Sequence, residues 1–480
     1  MSDSEGSTGP SAALRAAAAH TSLRLEPGHG QPLPRHLSLL AEADPGAAPL
    51  VWTDTRAMLL SAMLAARARN DALGDGLEFV LRYFDNNRLI RPAALSGPAR
   101  SGLFASVAEY CATIGWPQIG ALYASESLVF AETPAQRYRA LSMQALNLAF
   151  NAEYPAAAVA VAEARSLFVA EGWQIEDTSQ GLLLGDALIA VSNVDSARMR
   201  SVSDEIDTAQ PDDPYWHFSA DMIRVAATFF DRDVARGIAK SRELLYGSAR
   251  SRSYRVIREL LLGLYADMLI THGEYDEALA VLSHAVTHPG HAICFPMQRA
   301  SALLQMGRER EVIETTNACV ALHDEHCLRT LTPLLTRRAV AFLRLGSEKR
   351  AVQSMESAIL LIQRTGGSAT PFLMIPLGDT DRLLELVASD NHELAPLVAA
   401  IRQMLPAIAA RSRSAGVLAA LTSTERELAH LLTSSLGLPE IARTRNVSVN
   451  TVKSQVRSIY AKLGVSSRED AVEVLRGPQE

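Results

Sequence analysis

Asn450, Lys453, Ser454 and Arg457 recur at three- and four-residue steps, the spacing of one face of an α-helix. That face offers hydrogen-bond donors and cations and no acid, the chemistry that meets base edges and phosphates in a DNA major groove. Val449, Val452, Val456, Ile459 and Leu463 recur at the same spacing, roughly 150° round the helix at about 100° per residue. One side of the stretch suits a core and the other a duplex. Ser448 is placed to cap the start, because its hydroxyl accepts from free N–H groups of the first turn. Gly464 is placed to end it in the left-handed conformation.

A second set of residues could bind a metal. His284, His288, His291 and Cys294 follow one another at three- and four-residue steps, and Cys319, His323, His326 and Cys327 form a similar group. Thiolates with imidazoles suit zinc or a related metal, and the cysteines could also make a redox switch. The plainer reading is that histidines sit at helix ends, where a cation suits the dipole, and that cysteines pack as small hydrophobes. That reading is the expectation: no metal site and no cofactor is assigned.

The elements around Ser448–Leu463 explain how its two faces are held. Leu438-Pro439-Glu440-Ile441-Ala442 starts a short helix with proline in its first turn. Asn446 to Ser448 then separate it from the long helix. Upstream, Thr422 and Glu425 have the T-x-x-E spacing of a capping box, opening a helix with Leu428, Leu431 and Leu432 inward. Downstream, Ser467 can cap a last helix carrying Ala471, Val472 and Leu475. Four short helices with a tight turn before the third make a helix-turn-helix unit.

The pattern Leu421-Thr422…Glu425…Glu440-Ile441-Ala442…Val447-Ser448…Thr451-Val452-Lys453…Lys462-Leu463-Gly464-Val465…Arg468…Ala471-Val472 resembles the C-terminal DNA-binding domain of LuxR-type transcriptional regulators. The resemblance implies that Ser448–Leu463 is the recognition helix and that Lys453, Ser454 and Arg457 face DNA. It also implies that Asn450 and Thr451 lie near the backbone or bases, and that the last helix pairs two domains. Three positions depart from the family: Thr424 lacks the usual arginine, Arg445 replaces an apolar core residue, and Gln455 stands where histidine is frequent.

The preceding chain reads as a helical array. Apolar helices break near Gly115-Trp116-Pro117, Ala152-Glu153-Tyr154, Asn193, Asp231, Gly273-Glu274-Tyr275, Gly307 and Gly346, roughly 34 to 42 residues apart, as in tetratricopeptide-like repeats. Each hairpin needs its neighbours to bury its apolar face, so the array should stack into a superhelix with a concave groove. The His/Cys groups straddle turns that would line one edge of it, about 10 Å apart. Trp116, Trp173 and Trp216 are expected in the core. This arrangement is similar to the region preceding the DNA-binding domain in the large MalT-like branch of LuxR regulators. The predicted organisation is all-α: a loosely held tail at 1–45, repeats at 46–365, terminal helices and a linker at 366–416, and the DNA-binding domain at 417–480. Arg411 to Gly416 is the expected linker.

Composition narrows the function. The chain of 480 residues is 48% hydrophobic and 6% aromatic with a net charge of −7, as for an alanine- and leucine-rich helical protein whose surface as a whole repels nucleic acid. Between Leu438 and Arg468, however, six cations (Arg443, Arg445, Lys453, Arg457, Lys462, Arg468) face one acid, Glu440. The N-terminus has no signal-peptide pattern and no run is apolar enough to span a membrane, so a cytoplasmic protein with four reduced cysteines is expected. No G-x-x-x-x-G-K-[ST], G-x-S-x-G or H-E-x-x-H occurs, and Leu182–Asp186 has no phosphate loop beside it. No ATPase of the MalT-like kind is thus expected, nor any enzyme. The leading expectation is a DNA-binding regulator, homodimeric on double-stranded DNA, whose repeats take a protein or small-molecule effector and could meet RNA polymerase or another regulator. The alternative is a protein–protein scaffold using its helix-turn-helix to dimerise or sequester a partner.

Overall fold

The structure, a computed structural model, describes residues 11–91, 95–368, 370–405, 423–434, 436–445, 447–463, 465 and 467–476. It opens with α1 (Ala12–Arg24), α2 (Pro34–Glu42), α3 (Asp54–Arg69) and α4 (Gly76–Leu81), then a short antiparallel hairpin of β1 (Phe84–Asp85) and β2 (Arg88–Leu89). Composition predicts a loosely held tail over 1–45, but within it Ala17, Ala18, Leu40 and Ala41 pack against Leu59, Ala62, Met63 and Ala66 of α3. Small alanine faces let these helices approach closely, and the Gly/Pro-rich stretch between them is only a connection. The part of the tail at 1–10 lies outside the described residues.

Seven helical hairpins follow: α5 and α6 (Gly97–Thr113, Pro117–Val129), α7 and α8 (Pro134–Phe150, Tyr154–Glu171), α9 and α10 (Gln180–Ser192, Ser196–Ala209), and α11 and α12 (Pro214–Phe230, Val234–Tyr246). Then come α13 and α14 (Arg255–His272, Tyr275–Leu282), α15 and α16 (Phe295–Gln305, Glu309–Ala321), and α17 and α18 (Leu328–Arg344, Glu348–Arg364). Every break expected from the sequence falls at one of the seven hairpin turns. The turns share one construction. A residue with positive φ (Gly115, Ala152, Val194, Arg232, Gly273, Gly307 or Gly346) stands two places before the second helix. The next N–H then bonds back to a carbonyl five residues earlier, from Trp116 to Cys111 through Ser347 to Phe342, at 2.8 to 3.0 Å. This is the Schellman closure, which satisfies carbonyls left open at the end of a helix.

After α18, residues 366–368 and 370–375 reach back along the array: Ser368 Oγ donates to the Ser192 carbonyl at 2.9 Å and Gln305 Nε2 to that of Met374 at 3.3 Å. Then α19 (Leu377–Asp390) and α20 (residues 395–405) add Leu383, Leu384, Val387, Val398, Ile401 and Leu405 to the core that holds Met355 and Ile359 of α18. The array's packing therefore runs on to residue 405. The expected linker at Arg411–Gly416 lies outside the described residues.

The superhelix is wound tightly enough to touch itself. The N–H of Leu328 donates to Asn151 Oδ1 at 3.1 Å, and Gln118 Nε2 to the Glu325 carbonyl at 2.7 Å. Inside lies a cavity of about 590 Å³, bordered by Tyr138, Arg139, Tyr254, Asp267, Met374 and Arg337 among others. Trp216 is buried in the array core, and Trp173 packs on Tyr138 and Phe168 with centroids 5.2 and 5.8 Å apart. Among the described residues, no helix is long and apolar enough to cross a membrane.

Candidate nucleic-acid interface

The C-terminal unit consists of α21 (Ser423–Leu432), α22 (Leu438–Thr444), α23 (Val449–Leu463) and α24 (Arg468–Arg476). Leu428, Ala429 and Leu432 of α21, Ile441 and Ala442 of α22, and Val452, Val456 and Ile459 of α23 make its core. The apolar stripe of α23 is thus turned inward. Asn450, Thr451, Lys453, Ser454 and Arg457 are all exposed.

Local chemistry fixes the ends of these helices. Ser448 Oγ accepts from the Thr451 N–H at 3.1 Å and shares a 2.8 Å hydrogen bond with the Thr451 hydroxyl. Glu440 Oε2 accepts from the Gly437 N–H at 2.7 Å, and Ser467 Oγ from the Asp470 N–H at 3.0 Å. Gly464, the expected C′ residue, lies outside the described residues. So does Thr422, the expected partner of Glu425 in a capping box. Glu425 itself is buried and ties α21 to α23: its Oε1 accepts from Ser458 Oγ and its Oε2 from Lys462 Nζ, each at 2.6 Å.

The local cationic excess is therefore smaller at the exposed face than a residue count implies. Lys462 answers Glu425, and Arg468 donates to the carbonyls of Leu432 and Ser434 at 2.8 to 3.1 Å. Arg445 is half-buried and donates from Nη1 to Gln455 Oε1 at 2.8 Å. Arg443, Lys453 and Arg457 stay exposed. Composition counts all six cations alike because it does not show which are spent inside the domain.

The His/Cys residues divide by place. His291, Cys294, Cys319 and His326 converge, with one ligand atom from each lying within 4.8 Å of the others. His288 instead pairs with Glu259 at 3.0 Å, Cys327 Sγ donates to the Phe150 carbonyl, and His284 and His323 are exposed. Asp186, the acid of Leu182–Asp186, pairs with Arg165 and Arg198 at 2.7 and 2.6 Å, an internal structural role.

In the cavity, burial pushes the Asp267 carboxyl up to about 7, against the pull of the Arg337 guanidinium. Burial likewise lowers Arg337 to about 10, opposed by Asp267, and Arg139 to about 10, opposed by Glu109. Ionisable groups are thus strongly desolvated here. Sequence reading expects a concave groove but does not single out these residues, because they come from helices far apart in the chain.

Residues 419–475 match the family model described as GerE, bacterial regulatory proteins of the luxR family. Among solved structures, the crystal structure of Rap protein complexed with competence and sporulation factor resembles this chain with a TM-score of 0.51 at 10% identity, covering 74% of this chain and 98% of that one. At that identity the likeness is one of fold. Among curated proteins none matches the chain significantly. Residues 419–475 are a LuxR-family helix-turn-helix domain joined to a helical-repeat fold, and a domain of that family implies a DNA-binding transcription regulator.

Proposed function

We propose that α23 reads double-stranded DNA through Asn450, Lys453, Ser454 and Arg457, with Thr451 and Arg443 at the phosphates. The observation that carries this reading is the division of α23: Val452, Val456 and Ile459 are buried while the polar, acid-free face is open to solvent. Cations there meet phosphates and guanine edges, and Asn450 can address adenine. Two copies paired through α24 would set recognition helices about 34 Å apart on inverted half-sites.

The repeat array is the sensing arm in this proposal. Its cavity holds aromatic walls and desolvated ionisable groups, suiting a protein segment or small molecule that presents both apolar and polar groups. The Rap structure of similar fold is a complex with competence and sporulation factor, which supports a ligand-taking role for such an array. Repeats ahead of a LuxR domain fit a relative of the large MalT-like branch acting in the cytoplasm, where RNA polymerase or a second regulator would be the protein partner. Fluorescence anisotropy with genomic fragments tests the DNA reading. We expect binding that weakens steeply with salt, as counterion release requires; salt-independent binding, or none, would favour the scaffold reading.

A further inference from the structure

His291, Cys294, Cys319 and His326 reach one point from three parts of the chain. His291 and Cys294 lie at the entry to α15, Cys319 lies on α16, and His326 precedes α17. Cys294, Cys319 and His326 are buried, and His291 is half-buried. The two sulfurs are 3.7 Å apart and the two imidazole centroids 4.4 Å apart. A tetrahedral zinc with Zn–S bonds of about 2.3 Å sets two thiolates about 3.8 Å from one another. A disulfide would need about 2.0 Å.

The ring nitrogens point to the same occupant. His326 Nδ1 lies 2.9 Å from the Cys327 carbonyl, which can only accept, so that nitrogen carries a proton and, in the neutral imidazole a metal needs, Nε2 is the one left to bind. Among the described residues, His326 Nε2 and His291 Nδ1 are buried without a hydrogen-bond partner. A metal-bound histidine commonly donates its other N–H to a backbone carbonyl, which fixes both ring orientation and tautomer. Thr330 Oγ1 donates to the His291 carbonyl at 2.6 Å and steadies the loop that carries that ligand. His291 itself has a positive φ.

We propose that these four side chains form a structural zinc site. Two thiolates balance the ion's charge, soft sulfur with imidazole selects zinc over hard cations, and four protein ligands leave no position open for catalysis. The ion would pin the α15/α16 hairpin to the start of α17. That is also where Cys327 and Arg329 meet the Phe150 carbonyl across the closed superhelix. The inference concerns the array alone and does not rest on the DNA reading.

Metal analysis of tag-free, full-length protein after dialysis against zinc, then buffer, tests it. We expect about one equivalent of zinc per chain, retained in His288→Ala and largely lost in His326→Ala and Cys319→Ala. Should those variants fold poorly, cobalt loading of the native chain gives an independent readout, with thiolate-to-cobalt charge transfer and intense tetrahedral bands expected. Less than about a tenth of an equivalent in the native protein would overturn the proposal. So would a Cys294–Cys319 disulfide, a cobalt spectrum without thiolate character, or undiminished zinc in folded His326→Ala protein.

Discussion

The guanidinium of Arg445 donates to the side-chain oxygen of Gln455 at 2.8 Å, joining the end of α22 to the middle of α23. Each residue departs from the LuxR pattern, and together they make sense. A half-buried arginine in an apolar position needs an acceptor, and an amide oxygen supplies one that histidine would offer only in its neutral form. We expect Gln455→Ala to destabilise the C-terminal domain by about 1–2 kcal/mol, the cost of a half-buried charged donor losing a partner. Adding Arg445→Leu should recover most of that loss. Thermal unfolding of the two single variants and the double variant checks this, and strict additivity would show that the pair is not coupled.

Glu425 is the other polar anchor of the domain. Its carboxylate receives Ser458 and Lys462, so Glu425→Ala leaves both partners on α23 without an acceptor. We expect a loss of about 1–2 kcal/mol, since Glu425 is buried but its partner Lys462 is exposed and can turn to water. Urea unfolding of the domain's transition gives the measurement.

Val194 is a β-branched residue held in the left-handed region at φ 62°, where four of the seven equivalent turn positions carry glycine. Such a conformation costs an L-residue roughly 1–2 kcal/mol. Val194 also packs against the core around Ala190, Met199 and Phe230, so Val194→Ala, which loses that packing and keeps the strain, should cost about 1 kcal/mol more than Val194→Gly, which loses the packing but relieves the strain. Differential scanning calorimetry should show the lower Tm for Val194→Ala.

Asp267 gives a pH signature. Burial raises its folded value from 3.8 to about 7, so between those values the folded chain holds a proton that the unfolded chain has released. Its contribution to stability is present below pH 4 and is lost as pH rises through 7. Wild-type stability relative to Asp267→Asn should accordingly fall across that window and level off above it. Unfolding curves at stepped pH test the sign.

The seven array turns are legible in the sequence because glycine, or a short polar residue beside the turn, interrupts long apolar runs at each one. The helix-turn-helix is legible because α23 divides cleanly into core and exposed faces, and the five residues that the sequence places toward DNA are all exposed. The helices at 12–24 and 34–42 are harder to read, since alanine gives a weak periodic signal and their burial depends on α3. The cavity is invisible to local pattern: Ser368 meets Ser192, and Leu328 meets Asn151, only after the superhelix has turned. For the His/Cys residues, spacing brings two groups to one edge. The packing of α15, α16 and α17 then brings His291, Cys294, Cys319 and His326 together and leaves the others out of the cluster.

Lys453 and Lys462 provide the most direct contrast, because both lie on α23 but only Lys453 is free of the Glu425 contact. The measurement is the salt dependence of DNA affinity for the native chain, Lys453→Ala and Lys462→Ala. For Lys453→Ala we expect weaker binding and a log–log salt slope shallower by about one, and for Lys462→Ala a slope close to native. An unchanged affinity and slope in Lys453→Ala would contradict the placement of this face on DNA.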